Sequence, residues 1–126
     1  MKIFTSYYKR VSDKSEGLIP IRISTTMPDW FKACSGELPQ LYPGMEMVND
    51  YKSGRLSDEG YIVKYKTKLA ALNPDDIIKK LEDISKVFGD RDVVLLCFEP
   101  PAKLCHRHLV AEWLNENTEY EVTELQ

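Results

Sequence analysis

A chain of 126 residues, 43% hydrophobic and 29% charged, has the length of one ordinary domain and can bury a core without disulfide or metal staples. Its net charge of −3 excludes a general trap for polyanions, though not a local basic stripe. Three cysteines are an odd number, "MKIFTSYYKR" has no apolar leader region, and no apolar run has the length of a membrane span. The expectation is one α/β domain over residues 1–126, away from the membrane, in the reducing cytoplasm with free thiols.

"KIFTSYY" (Lys2–Tyr8) alternates and is rich in aromatic and β-branched residues, which predicts a first strand. "GLIPIRIST" (Gly17–Thr25) predicts a second. Pro20 cannot donate to a ladder, so this strand is expected at an edge or starting near Pro20. Met27–Pro43 holds three prolines and a glycine and reads as a long irregular connection, pinned to the body by Trp30 and Phe31. Pro43–Gly54 predicts a short helix. Ser57 is placed to cap the next one, which carries Tyr61, Tyr65, Leu69 and Leu72 at helical spacing. In "NPDDIIKKLEDISKVFG", Asn73 caps, Pro74 starts and Gly89 stops a helix. Its expected buried stripe is Ile77, Ile78, Leu81, Ile84, Val87 and Phe88.

"DVVLLCF" (Asp92–Phe98) is continuously apolar, as suits a strand buried on both faces. "FEPPAK" reads as a loop, a last helix is expected from about Leu104 to Asn117, and "YEVTEL" closes the chain as a strand. Strand, helix, strand implies a right-handed parallel crossover. Together with the N-terminal strands it predicts a mostly parallel sheet of about four strands with helices on both faces, three layers in all.

Chemistry concentrates in "LLCFEPPAKLCHRH" (Leu95–His108), which holds both histidines and two of the three cysteines. In an open α/β sheet, ligands bind beyond the carboxyl ends of the strands. Cys97 and Glu99 stand at that end, and Cys105, His106 and Arg107 open the next helix, where backbone N–H groups are unpaired. Zinc on Cys97, Cys105, His106 and His108 is disfavoured, because neighbours on a helix diverge by about 100° and the two histidines point to opposite sides. No metal and no cofactor is therefore expected. A phosphatase-like loop fails as well: the sixth residue after Cys97 is Lys103 rather than arginine, and Pro100 and Pro101 lack N–H donors. A redox pair of Cys97 and Cys105 stays open, since spacing does not fix their distance.

A thiol at a helix start beside a histidine and an arginine has a lowered pKa. Cys105 is thus the candidate reactive group, with His106 to move a proton and Glu99 to orient. Arg107 and Cys97 are candidate ligand contacts, joined by Ser6, Tyr7, Ser24 and Thr25, which are expected to end neighbouring strands. The expected ligand is a small anionic or nucleotide-like molecule. Plainer readings exist for the same residues: Cys97 as core filler, His108 as a half-buried helix residue, Arg107 in an ion pair with Glu99. Lys64, Lys66 and Lys68 beside Tyr61 and Tyr65 offer an alternative, a nucleic-acid-binding module without catalysis, although a solvated face over core tyrosines explains them as well.

"LLCFEPPAKLCHRHLVAEWL" closely resembles the C-terminal signature of the domain-of-unknown-function family 488. In that signature a buried strand ends in cysteine and glutamate, a short loop follows, and Cys-His-Arg opens a helix. "IFTSYY", "PIRISTTMPDWF" and "YKSGRLSDEGYIVKY" resemble its first strand, its second strand with a Pro-x-Trp stretch, and its helical middle. The resemblance implies a Rossmann-like outline and an enzyme or ligand-processing protein, with Cys97, Glu99, Cys105, His106 and Arg107 as signature residues. Many longer members carry Asp-x-Arg after the second strand, where this chain has "ISTTMP".

Overall fold

The computed structural model describes residues 1–13, 17–31, 34–99 and 104–125. Five strands form: β1 (Ile3–Tyr7), β2 (Ile19–Arg22), β3 (Gly36–Glu37), β4 (Val93–Cys97) and β5 (Val122–Glu124). They make one parallel sheet in the order β3-β2-β4-β1-β5. The continuously apolar strand is the central one, and all its residues are buried. Val93 stands opposite both Ile3 of β1 and Ile19 of β2, so side chains of like direction line up across the sheet.

That register creates two cores. Ile3, Ile19, Ile21, Val93 and Leu95 face helices α3 (Asp58–Ala70), α4 (Pro74–Val87) and α5 (His106–Asn117), meeting Tyr65, Leu69, Leu81, Val110 and Leu114. Val94 and Leu96 point the other way, onto α1 (Tyr8–Asp13), Leu18 and Phe31. Helix, sheet and helix give the three-layer, Rossmann-like α/β arrangement, with one face covered more thickly than the other. Each fully buried aliphatic side chain of β4 contributes about 1.5–3 kcal/mol. Among the described residues no helix is long and apolar enough to cross a membrane.

Capping sets the helix starts. Ser57 accepts from the Gly60 N–H at 3.0 Å, and Asn73 from the Asp75 N–H at 2.9 Å with Pro74 behind it. The short helix α2 spans Met45–Lys52. β2 begins at Ile19, next to Pro20 as expected, but it is internal rather than an edge, and the hydrogen-bond directions explain why that is tolerated. The Ile19 N–H donates toward β4, to the Asp92 carbonyl, while the Pro20 carbonyl faces the other way and accepts from Ser35. The missing Pro20 N–H therefore points toward β3 at a level where β3 has not begun, since its pairing starts at Ile21.

Some expectations need correction. The Met27–Pro43 connection contains β3 and a 3-10 turn at Pro39–Leu41. Phe31 is buried, but Trp30 is 57% exposed, so one ring does the pinning. The α4 stripe ends at Ser85, whose hydroxyl bonds the Arg91 carbonyl at 2.6 Å. Val87 lies about 200° further round the helix and is 78% exposed, and Phe88 lies past the last helical residue and is exposed too. The part of "FEPPAK" beyond Glu99, with Pro100, Pro101 and Lys103, falls outside the described residues.

Candidate functional site

A cleft of about 340 Å³ opens at the carboxyl end of the sheet, over β2 and β4. Its floor is Ser24, Thr25 and Thr26 after β2, and Cys97, Phe98 and Glu99 at the end of β4. One wall is Leu104, Cys105 and His106 at the start of α5, and the other is built by Val48, Tyr51 and Lys52 of α2 with Tyr61 of α3. The volume suits a small ligand.

The floor is held from below. Arg22 donates to the Ser24 carbonyl at 2.9 Å and to the Thr25 carbonyl at 2.6 Å. Ser24 shares a 2.5 Å hydrogen bond with the Tyr8 hydroxyl, whose pKa burial pushes up to about 12. Thr25 Oγ1 accepts from the Gly44 N–H at 2.9 Å, which ties the floor to the start of α2. Gly44 has φ 96°, a left-handed backbone that favours glycine there.

Cys97 and Cys105 face each other with their sulfurs in contact and Cα atoms 7.2 Å apart, a wider span than a disulfide usually bridges, while Cys34 is free. The sulfurs are thus close enough for the redox pair that spacing alone left open. Cys105 is the cap of α5, with extended φ −145° and ψ 140° rather than helical angles. Helical spacing therefore does not govern its direction, and the divergence expected between Cys105 and His106 does not occur. Cys105 Sγ lies 3.9 Å from His106 Nδ1, and one ligand atom from each of Cys97, Cys105 and His106 lies within 4.8 Å of the other two. His106 Nε2 is 2.6 Å from the Ile23 carbonyl, which can only accept, so Nε2 carries the hydrogen and Nδ1 presents a lone pair. Burial, aided by the nearby Arg107 charge and partly offset by the Ile23 bond, lowers the ring's pKa to about 4 and keeps it neutral. Tyr65 packs against it edge-on, with centroids 5.3 Å apart.

Arg107 is fully buried and does not line the cleft. Its guanidinium grips Glu124 of β5 through Nε at 3.0 Å and Nη2 at 2.9 Å. Nη1 donates to the Glu99 carbonyl oxygen and, at 3.1 Å, to Cys97 Sγ. The Tyr7 ring lies 5.5 Å from the guanidinium carbon, and Thr5 Oγ1 donates to the same Glu124 carboxylate at 2.6 Å. The anticipated ion pair with the Glu99 side chain is replaced by one with Glu124, because Glu99 offers its backbone. Glu124 was legible in principle: it is two residues from the buried Val122, so both point to the same face of β5.

The other expected contacts separate. β4 lies between β1 and β2, so Ser6 and Tyr7 do not end a strand next to Ser24 and Thr25, and they stand outside the cleft. Ser6 is fully buried, with no partner for its hydroxyl among the described residues. His108 is partly buried, and burial lowers its pKa. Tyr61 and Tyr65 are buried, and Tyr65 donates to the Leu41 carbonyl at 2.6 Å, as core residues do, with Tyr61 also lining the cleft. Lys66 pairs with Glu112 at 3.4 Å. The α2 wall, Lys52 above all, carried no signal at the sequence level, since an isolated exposed lysine is indistinguishable from a solvated one.

A family model described as "Active DUF488-N3 subclade" matches residues 6–118. No curated protein and no solved structure matches the chain. With nearly its whole length covered by that match, the chain belongs to the DUF488 family, in the subclade DUF488-N3a.

Proposed function

We propose that the protein is a thiol-dependent enzyme or ligand-processing protein that acts on a small anionic or nucleotide-like molecule held in the cleft at the carboxyl edge of the sheet. The observation that carries this reading is the approach of Cys105 Sγ to an unprotonated His106 Nδ1 at the wall of that cleft. With both thiols reduced, Cys105 is the attacking atom: its Sγ bonds to an electrophilic carbon of the ligand, the group on that carbon leaves with the bonding electron pair, and the thiol proton passes through Nδ1 to that leaving group. The neutral ring is the form this role requires. Cys97 receives an N–H from Arg107, which favours its thiolate and makes it the second thiol of the pair. Lys52 supplies positive charge for an anionic ligand, and Glu99 also lines the cleft. Ser24 and Thr25 on the floor are the proposed polar ligand contacts, and Arg107 acts through Cys97 rather than by touching the ligand. The word "active" in the family description agrees with catalysis, and a cytoplasmic setting would keep the dithiol form available.

The test is limited alkylation of the phosphine-reduced protein with peptide mapping. Cys105 is expected to label well before Cys34, whose thiol burial pushes up to about 11. Incubation with a metabolite extract should consume a compound in the presence of the reduced protein and not of Cys105→Ser. Resistance of Cys105 to alkylation until the protein unfolds would overturn the reading.

A further inference from the structure

The three atoms that converge at the cleft wall have a second use. We propose that, in the dithiol form, Cys97 Sγ, Cys105 Sγ and His106 Nδ1 form a three-ligand site for a thiophilic divalent ion of the zinc class, with a fourth position open to the cleft. This goes beyond the nucleophile reading and needs no substrate.

Four observations carry it. First, the donor set is two sulfurs and one imidazole nitrogen, all on buried residues, within 4.8 Å of one another. A tetrahedral ion with bonds of about 2.0–2.3 Å needs ligand atoms about 3.6 Å apart, so small side-chain adjustments suffice. Second, the Cα separation of 7.2 Å lies beyond the usual disulfide span of about 4.4–6.8 Å and leaves room for an ion between the reduced sulfurs. Third, the surroundings already orient the ligands. The Ile23 carbonyl holds His106 Nε2 at 2.6 Å and fixes the tautomer that turns Nδ1 to the sulfurs, and Arg107 Nη1 donates to Cys97 Sγ at 3.1 Å. Fourth, the charges balance. Two thiolates neutralise a divalent ion, and the Arg107 charge is already matched by Glu124, so it does not oppose the cation.

Sulfur and imidazole donors select zinc-class ions over magnesium or calcium. Three protein ligands and an open position are the arrangement of a catalytic rather than a structural zinc. Binding converts two thiols to thiolates and releases two protons to solvent, so affinity rises with pH. Bound ion and free nucleophile exclude each other: zinc on Cys105 silences its attack, and the disulfide denies both.

The experiment uses the whole chain, reduced with a phosphine and stripped by a chelator. Cobalt(II) titration should give sulfur-to-cobalt charge-transfer bands and tetrahedral d–d bands that saturate at a single ion per chain. Cys97→Ser and Cys105→Ser should each weaken binding at least about tenfold, as should His106→Gln, with circular dichroism confirming the fold of each. Equimolar zinc should slow alkylation of Cys105 at least about tenfold. Absence of these bands from the reduced protein, or undiminished binding by Cys105→Ser, overturns the inference. Rapid labelling of Cys105 with no protection by zinc rejects the metal site and leaves the nucleophile reading standing. Resistance of Cys105 in the metal-free dithiol form together with a full cobalt spectrum does the reverse.

Discussion

His106 and Arg107 are adjacent in the chain and end in opposite surroundings. His106 faces the β2 side of the central strand and lines the cleft, while Arg107 faces the β1 and β5 side and is sealed beneath Tyr7 and Glu124. The cap at Cys105 makes the division, since consecutive helical residues then point about 100° apart. One short stretch is therefore divided between two surroundings. Its arginine fastens α5 to the sheet, and its cysteine and histidine line the cleft.

The largest expected effect breaks the fastened side. Arg107→Ala removes the arginine from the Glu124 carboxylate, which keeps its bond from Thr5, and should destabilise by about 3–5 kcal/mol in urea unfolding. A double change with Glu124→Ala should be far from additive, because the two groups share one interaction. A loss for Arg107→Ala within the range of ordinary surface substitutions would erase the contrast between the two sides.

Next comes the floor of the cleft. Tyr8 has a pKa raised from 10.0 to about 12, mainly by burial, so the folded state favours its neutral form. Above pH 10 the unfolded chain loses this proton and the native state keeps it. The native protein is therefore penalised progressively from pH 10 to about 12, by up to roughly 3 kcal/mol. Tyr61 and Tyr65 shift in the same direction and steepen the fall. Urea unfolding across that range should show it, and Tyr8→Phe should flatten it.

The cleft side should be more tolerant. His106→Gln sacrifices the bond to the Ile23 carbonyl and should lower stability by about 1–3 kcal/mol, less than Arg107→Ala, while removing the proposed proton acceptor. A stability loss equal to that of Arg107→Ala would mean that both residues are structural. Smallest of all, Lys52→Ala on the exposed rim should change stability by less than about 0.5 kcal/mol. Its effect should appear in ligand affinity, and equal affinity for an anionic ligand would remove Lys52 from the site.

Local chemistry made much of the fold readable. Ser57 and Asn73 marked helix starts because capping is a short-range matter, and the apolar run from Val93 to Cys97 marked the strand buried on both faces. What escaped was decided by tertiary neighbours. β3 is two residues long and exists because Ile21 and Arg22 offer it partners. The step from β1 into α1 at Tyr8 has no sequence punctuation. Within the site, the residues of the signature were visible, but their roles were not. The Arg107 partner lies 17 residues away on β5, and the α2 wall is separated from Cys105 by two helices and a strand. The expected divergence of Cys105 and His106 did not hold, for helical periodicity was applied to Cys105, whose backbone is extended.

The strand order carries a kinetic consequence. β1 is clasped between β4 and β5, and its Thr5 bonds Glu124 across a sequence separation of 119. The parallel partners of β1 are thus made late in synthesis and must find it by closing long loops, a slow search compared with forming a hairpin. The chain from β4 through α5 cannot organise the signature by itself, because the carboxylate that neutralises Arg107 arrives on β5 and is held in place by β1. Refolding is expected to populate the isolated helices early and to bury Arg107 last, in the same event that zips β5 onto β1.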